Sequence, residues 1–157
     1  MNTMYRLLIA DDALDELECI VFLISKFKLP FEVTSAINGE DALGYLQQEH
    51  FDILLTDIQM PFMDGLELSK HALALYPDLR VVIISAHENF SYAQTAIHLG
   101  VCEYLLKPIQ PQELNNILQK VLSSIKEQHL QKRLDSMTAN YAKNHLLLQL
   151  IQGSTLT

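Results

Sequence analysis

The chain is poor in the features that mark several common functions. It has five glycines in 157 residues and contains neither GxGxxG nor GxxxxGK[ST], which removes the phosphate cradles of nucleotide-binding folds. Its six histidines (His50, His71, His87, His98, His129 and His145) show no HxxxH or HExxH spacing, so a zinc centre is not expected, nor is phosphotransfer through histidine. No apolar run approaches the roughly 18 residues that span a bilayer, so no membrane contact is expected. The first apolar stretch is cut short by Asp11 and Asp12, which is unlike a signal peptide, and the expected location is cytoplasmic. Lysine and arginine number 11 against 19 acids, giving a net charge of −8, and no basic cluster exceeds Lys132 and Arg133. Direct binding to a phosphate backbone is disfavoured by that balance. There are only two cysteines, Cys19 and Cys102, without a CxxC partner, and both are expected as buried thiols. Internal repeats and low-complexity segments are lacking too.

What is present is a regular alternation. Short apolar runs at 5–10, 32–36, 52–56, 80–84 and 102–106 are each followed by helical periodicity, at about 13–28, 39–49, 64–76, 89–99 and 111–127. In the first helix Leu14, Leu17, Ile20, Val21 and Ile24 are expected to face inward. Five such βα units predict a parallel sheet covered on both faces with right-handed crossovers. Runs such as Val81-Val82-Ile83-Ile84 fit burial on both faces. At 157 residues the chain is one domain with an appendage, divided here as 1–127 and 128–157.

Chemistry collects where these strands end. Asp11 and Asp12 close the first run, Asp57 the third, Ser85 the fourth and Lys107 the fifth. Each has an ordinary explanation: an acid of the pair can cap the next helix, helped by Asp15 and Glu16, and Asp57 can be a turn residue beside Pro61. Their joint occurrence outweighs these, because strand order 2-1-3-4-5 puts all five on one sheet edge. Two like charges about 4 Å apart repel by about 4 kcal/mol at an effective dielectric near 20, and a divalent cation resolves that crowding. Oxygen-only ligands suit Mg²⁺. An ionised Asp57 beside Mg²⁺ and a lysine is an adequate nucleophile toward phosphorus, with Asp12, Asp57 and the Gln59 backbone carbonyl as ligands and Asp11 holding a coordinated water. Lys107 and Ser85 would grip the phosphoryl oxygens.

The pair Asp11-Asp12, the segment 57–65 (DIQMPFMDG), Ser85-Ala86 and the segment 104–108 (YLLKP) resemble the response-regulator receiver domain of two-component signalling over about residues 4–127. That resemblance implies a flavodoxin-like (βα)5 fold, Mg²⁺, phosphoryl transfer from a sensor histidine kinase to Asp57, and a cis peptide before Pro108. It also implies that Ser85 and Tyr104 form a switch reshaping the surface of the fourth helix and fifth strand and helix. Strand propensity alone would make Tyr104 an edge aromatic packed on the fourth helix. Gln59 and His87 occupy the positions that flank the attacking water and tune phosphate lifetime, and Ala13 stands where many receivers carry a third acid. The segment 85–100 is similar to receivers joined to an AraC-type helix-turn-helix output domain. The chain itself holds no basic DNA-reading segment, so DNA contact is expected only through an output domain outside it. The alternative is a regulator that acts through protein contacts.

Two other functions use the same residues. A phosphatase with an aspartate nucleophile would want a second acid two residues on, where Gln59 stands. A docking module that is never phosphorylated has no use for the full set. Beyond the receiver, the chain runs from Ile117 up to Gly153 without an intervening glycine or proline, with apolar positions at Leu114, Leu118, Val121 and Ile125, then Leu130, Leu134, Met137 and Tyr141. The five-residue step from Ile125 to Leu130 breaks the heptad register. A helix that outlasts the domain and bends there is expected. The run from Leu146 to Ile151 is too apolar for a solvated tail, and a homodimer is expected to cover such surface.

Overall fold

The computed structural model describes residues 3–86 and 90–155, without the side chains of 151–155. In chain order the elements are β1 (Tyr5–Ala10), α1 (Leu14–Lys26), β2 (Phe31–Ala36), α2 (Gly39–Gln48), β3 (Ile53–Asp57), α3 (Gly65–Leu75), β4 (Arg80–Ser85), α4 (Phe90–Leu99), β5 (Glu103–Leu106) and α5 (Pro111–Thr155). The strands form one parallel sheet in the order β2-β1-β3-β4-β5, the flavodoxin-like arrangement read from the alternation. Two compact units divide the chain, residues 1–121 and 122–157.

In the first unit, the central strands are apolar because helices cover both faces. All five residues of β3 are buried, as are Leu7–Ala10 of β1 and Val81–Ser85 of β4. The edge strands β2 and β5 are more exposed. Helix starts follow local chemistry: the Asn38 side chain accepts the Asp41 N–H at 2.7 Å and Asp64 accepts the Glu67 N–H at 2.8 Å, supplying partners that a first helical turn otherwise lacks.

Two expectations of burial are corrected. On α1 the inward stripe is Leu17, Ile20, Leu23 and Ile24, whereas Leu14 and Val21 are exposed. The stripe keeps the helical spacing but is rotated, so Leu23 replaces Val21. Cys19 and Cys102 are both exposed. Cys19 is two positions from Leu17, about 200° around the helix, and Cys102 precedes β5 in the connection from α4.

The second unit is helical throughout residues 122–155, the continuation of α5. The five-residue step from Ile125 to Leu130 changes the frame of the apolar positions without interrupting the helix. Leu130, Leu134, Met137, Tyr141, Leu146, Leu147, Leu148 and Leu150 are exposed. No helix among the described residues is long and apolar enough to cross a membrane.

Candidate functional site

Parallel registration carries the strand ends to one edge. Ala10 pairs with Thr56, Asp57 with Ile84, and Ser85 with Leu106, so the residues immediately following β1 and β5 lie beside the last residues of β3 and β4. Asp11, Asp12 and Asp57 each offer a carboxylate oxygen, and these oxygens lie within 4.8 Å of one another. Asp11 and Asp57 are buried, whereas Asp12 opens to solvent.

Asp57 is held from two sides. Its Oδ1 accepts the Ile58 N–H at 2.7 Å and its Oδ2 accepts from Lys107 Nζ at 3.0 Å. The loop beyond it is pinned by Gly65, whose N–H donates to the Ile58 carbonyl at 2.7 Å. A Cβ at Gly65 would lie 1.9 Å from the Asp57 carbonyl oxygen, so only glycine lets α3 start this close to β3. Lys107 is fixed through its own backbone, its N–H donating to the Ser85 carbonyl at 2.8 Å, and the Lys107–Pro108 peptide bond is cis.

Asp11 does not cap α1. Its Oδ1 accepts the Ala13 N–H at 3.0 Å, and Ala13, the residue before the helix, makes no side-chain cap. Asp11 Oδ2 lies 3.6 Å from Lys107 Nζ. Burial, then hydrogen bonding to Glu16 and the charge of Asp57, raises the Asp11 carboxyl from 3.8 to about 7, against the lowering effects of the Ala13 N–H and Lys107. Glu16 moves the other way, lowered by its hydrogen bond with Asp11 and by Lys107 despite partial burial. A proton shared by this pair therefore favours Asp11 over Glu16. Burial works against the Lys107 ammonium group, but hydrogen bonds to Glu16 and Asp57 and the charges of Asp57 and Asp11 outweigh it, holding its pKa above the ordinary lysine value.

These groups fit a hard divalent cation. Three converging carboxylates, one of them with its pKa raised chiefly by burial, are an oxygen donor set carrying more negative charge than one lysine neutralises. The exposed side at Asp12 leaves room for the waters that Mg²⁺ retains.

The other sequence-predicted residues are placed as follows. Ser85 is buried at the end of β4. Tyr104 pairs in register with Ile83 and packs, partly buried, on the cluster containing Ala96 of α4. Gln59 is exposed, and His87 lies outside the described residues. Sequence reasoning credited Glu16 only with favouring the positive end of α1. The structure places its Oε2 on Lys107 Nζ. Its position in the first turn after the acidic pair was the available signal, since that turn starts on the same sheet edge.

Comparison with known proteins agrees with this geometry. Residues 7–119 match the response regulator receiver domain profile. YesN of Bacillus subtilis, described as an uncharacterized transcriptional regulatory protein, is 33% identical over 159 residues, covering 96% of this chain and 43% of that protein. A two-component response regulator of Arabidopsis thaliana is 36% identical over 121 residues, 74% of this chain and 31% of that protein. The chain thus spans less than half the length of these curated relatives. Among solved structures, the REC domain of AraT, a response regulator from Geobacillus stearothermophilus, superimposes with a TM-score of 0.74 at 38% identity, over 81% of this chain and 99% of that one. A CheY-like receiver domain from Methanospirillum hungatei gives 0.72 at 27% identity, over 80% and 99%.

Proposed function

The chain belongs to the response regulator receiver domain family of two-component signalling, and from that premise we propose that Asp57 is its phosphoacceptor, charged by a sensor histidine kinase. A carboxylate oxygen of Asp57 forms the new bond to phosphorus while the P–N bond to the kinase imidazole breaks, the bonding pair leaving on nitrogen. The observation that carries this reading is the joint placement of Lys107 Nζ, 3.0 Å from Asp57 Oδ2, and the three converging carboxylates. Such transfer needs little covalent help and depends on position and charge. Asp12, Asp57 and the Gln59 carbonyl would hold Mg²⁺, with Asp11 on a coordinated water. The bound ion would supply neutralisation of the phosphoryl charge. Lys107 and the Ser85 hydroxyl would take the phosphoryl oxygens, with Gln59 and His87 tuning the lifetime of the aspartyl phosphate. This is a signalling domain rather than a turnover enzyme.

The response to phosphate would run from Ser85 to Tyr104 and α4. Only Ala96 of α4 is buried, so few apolar contacts resist its displacement. We place the receiver in residues 1–127 and a helical connector in 128–157. Leu130, Leu134, Met137, Tyr141 and Leu148 repeat at heptad spacing and are exposed, which favours a homodimer through this connector. The likeness to YesN, described as a transcriptional regulatory protein, supports a transcriptional role. A cytoplasmic location and DNA binding through an AraC-type output domain are proposed from the lack of a signal-peptide pattern and the sequence resemblance of residues 85–100, respectively. With Mg²⁺ and acetyl phosphate, the intact mass should rise by one phosphate in the native chain and not in Asp57→Ala. Multiple turnover of an aryl phosphate would instead identify a phosphatase.

A further inference from the structure

The Lys107 ammonium group serves more than the phosphoacceptor. It lies 3.0 Å from Asp57 Oδ2 and 3.6 Å from Asp11 Oδ2, and it also contacts Glu16 Oε2, a carboxylate that belongs to neither strand end. Glu16 sits in the first turn of α1, with its side chain 38% exposed, whereas that of Lys107 is 16% exposed. The lysine is therefore shared between the site and a helix.

We propose that Glu16 is a positioning residue that holds the Lys107 ammonium group while Asp57 is unmodified and yields it when a phosphoryl group arrives. This rests on reading Asp57 as the phosphoacceptor. A lysine ammonium group is a compact charge with three donors on a flexible stem, so it can exchange one carboxylate partner for another oxygen with little movement. A phosphoryl group on Asp57 adds three oxygens within its reach. Forming the full clamp on them draws the ammonium away from Glu16, and that carboxylate is left facing the new negative charge. Glu16 thus opposes occupation of the site by a phosphoryl group, and does so through its grip on Lys107 rather than through charge alone.

The experiment titrates the full chain with beryllofluoride, a non-covalent phosphoryl mimic, followed by fluorine NMR at a magnesium concentration shown to saturate each variant. Glu16→Gln keeps the volume and removes the charge, and should bind the mimic about three- to tenfold more tightly, the scale of one partly exposed ion pair. Glu16→Asp keeps the charge but withdraws it from Lys107 by one methylene, and should match Glu16→Gln. Thermal melts without the mimic should confirm folding with only a small fall in midpoint, because the ion pair removed is made in the unbound state, whereas a purely structural role would lower the midpoint without tightening binding. Equal or weaker binding by Glu16→Gln overturns the inference. So does tighter binding by Glu16→Gln with native affinity in Glu16→Asp, because charge alone would then be acting. Failure of the native chain to bind beryllofluoride would refute the phosphoacceptor reading itself.

Discussion

Replacing Asp11 by asparagine should stabilise the metal-free protein while weakening its hold on magnesium. The folded state raises the Asp11 carboxyl from 3.8 to about 7, so between those values the folded chain binds the extra proton and the unfolded chain does not. The sign follows from linkage: this group costs stability progressively as pH rises from about 4 to about 7, and above that the cost is complete. A shift of about three units corresponds to an upper bound of about 4 kcal/mol at about 1.4 kcal/mol per unit. Glu16, shifted downward, and Lys107, shifted upward, offset part of it. A net gain of about 1–3 kcal/mol for Asp11→Asn is therefore expected at about pH 8 in chelator, or roughly 2–10 °C in Tm for a chain of this size. The asparagine oxygen can still accept the Ala13 N–H and its amide can still donate to Glu16, so the protonated acid is mimicked closely. Melts by circular dichroism at about pH 8 and about pH 5 test this. The gain should shrink at the lower pH, where native Asp11 is protonated, and millimolar magnesium should stabilise the native protein more than the variant. Asp11→Asn less stable than the native chain in chelator at the higher pH would refute the electrostatic account of the site.

Other perturbations follow from the same geometry. Gly65→Ala should destabilise by more than about 2 kcal/mol, since its Cβ meets the Asp57 carbonyl, and urea unfolding would register it. Lys107→Ala should slow labelling by acetyl phosphate by about tenfold or more without loss of fold, followed by intact mass, because it removes the cation paired with Asp57. Met137→Asp should convert a dimer to a monomer in sedimentation equilibrium, and a monomeric native chain would count against the connector pairing. Cys19 and Cys102 should both react with a maleimide under native conditions, since both are exposed.

Strand order and the convergence of Asp11, Asp12, Asp57, Ser85 and Lys107 were legible because period and alternation determine a parallel sheet, and such a sheet aligns its carboxyl ends. The elements begin and end within one or two residues of expectation, apart from the last helix. At α5 the expected receiver boundary of 127 is not a helix end, because nothing in residues 117–152 breaks the backbone ladder, and a change of apolar frame is not a helix breaker. Less visible was anything set by rotation about a helix axis. Leu23 rather than Val21 faces the sheet because the packing angle of α1 chooses among neighbouring apolar positions, and sequence spacing alone allowed both. The burial expected for the cysteines failed for a related reason: Cys19 lies off the inward stripe and Cys102 in a connection at the sheet's amino-terminal edge. The pairing of Glu16 with Lys107 spans 91 positions and depends on where the first turn of α1 docks, which no local pattern encodes.

The central claim is that Asp57, among three clustered carboxylates, takes the phosphoryl group. Treating the chain with acetyl phosphate and Mg²⁺, reducing the acyl phosphate with borohydride and sequencing peptides by tandem mass spectrometry reads that position directly. Homoserine at position 57, absent without magnesium, is the predicted result. Homoserine at position 11 or 12, or none at any position, would contradict it.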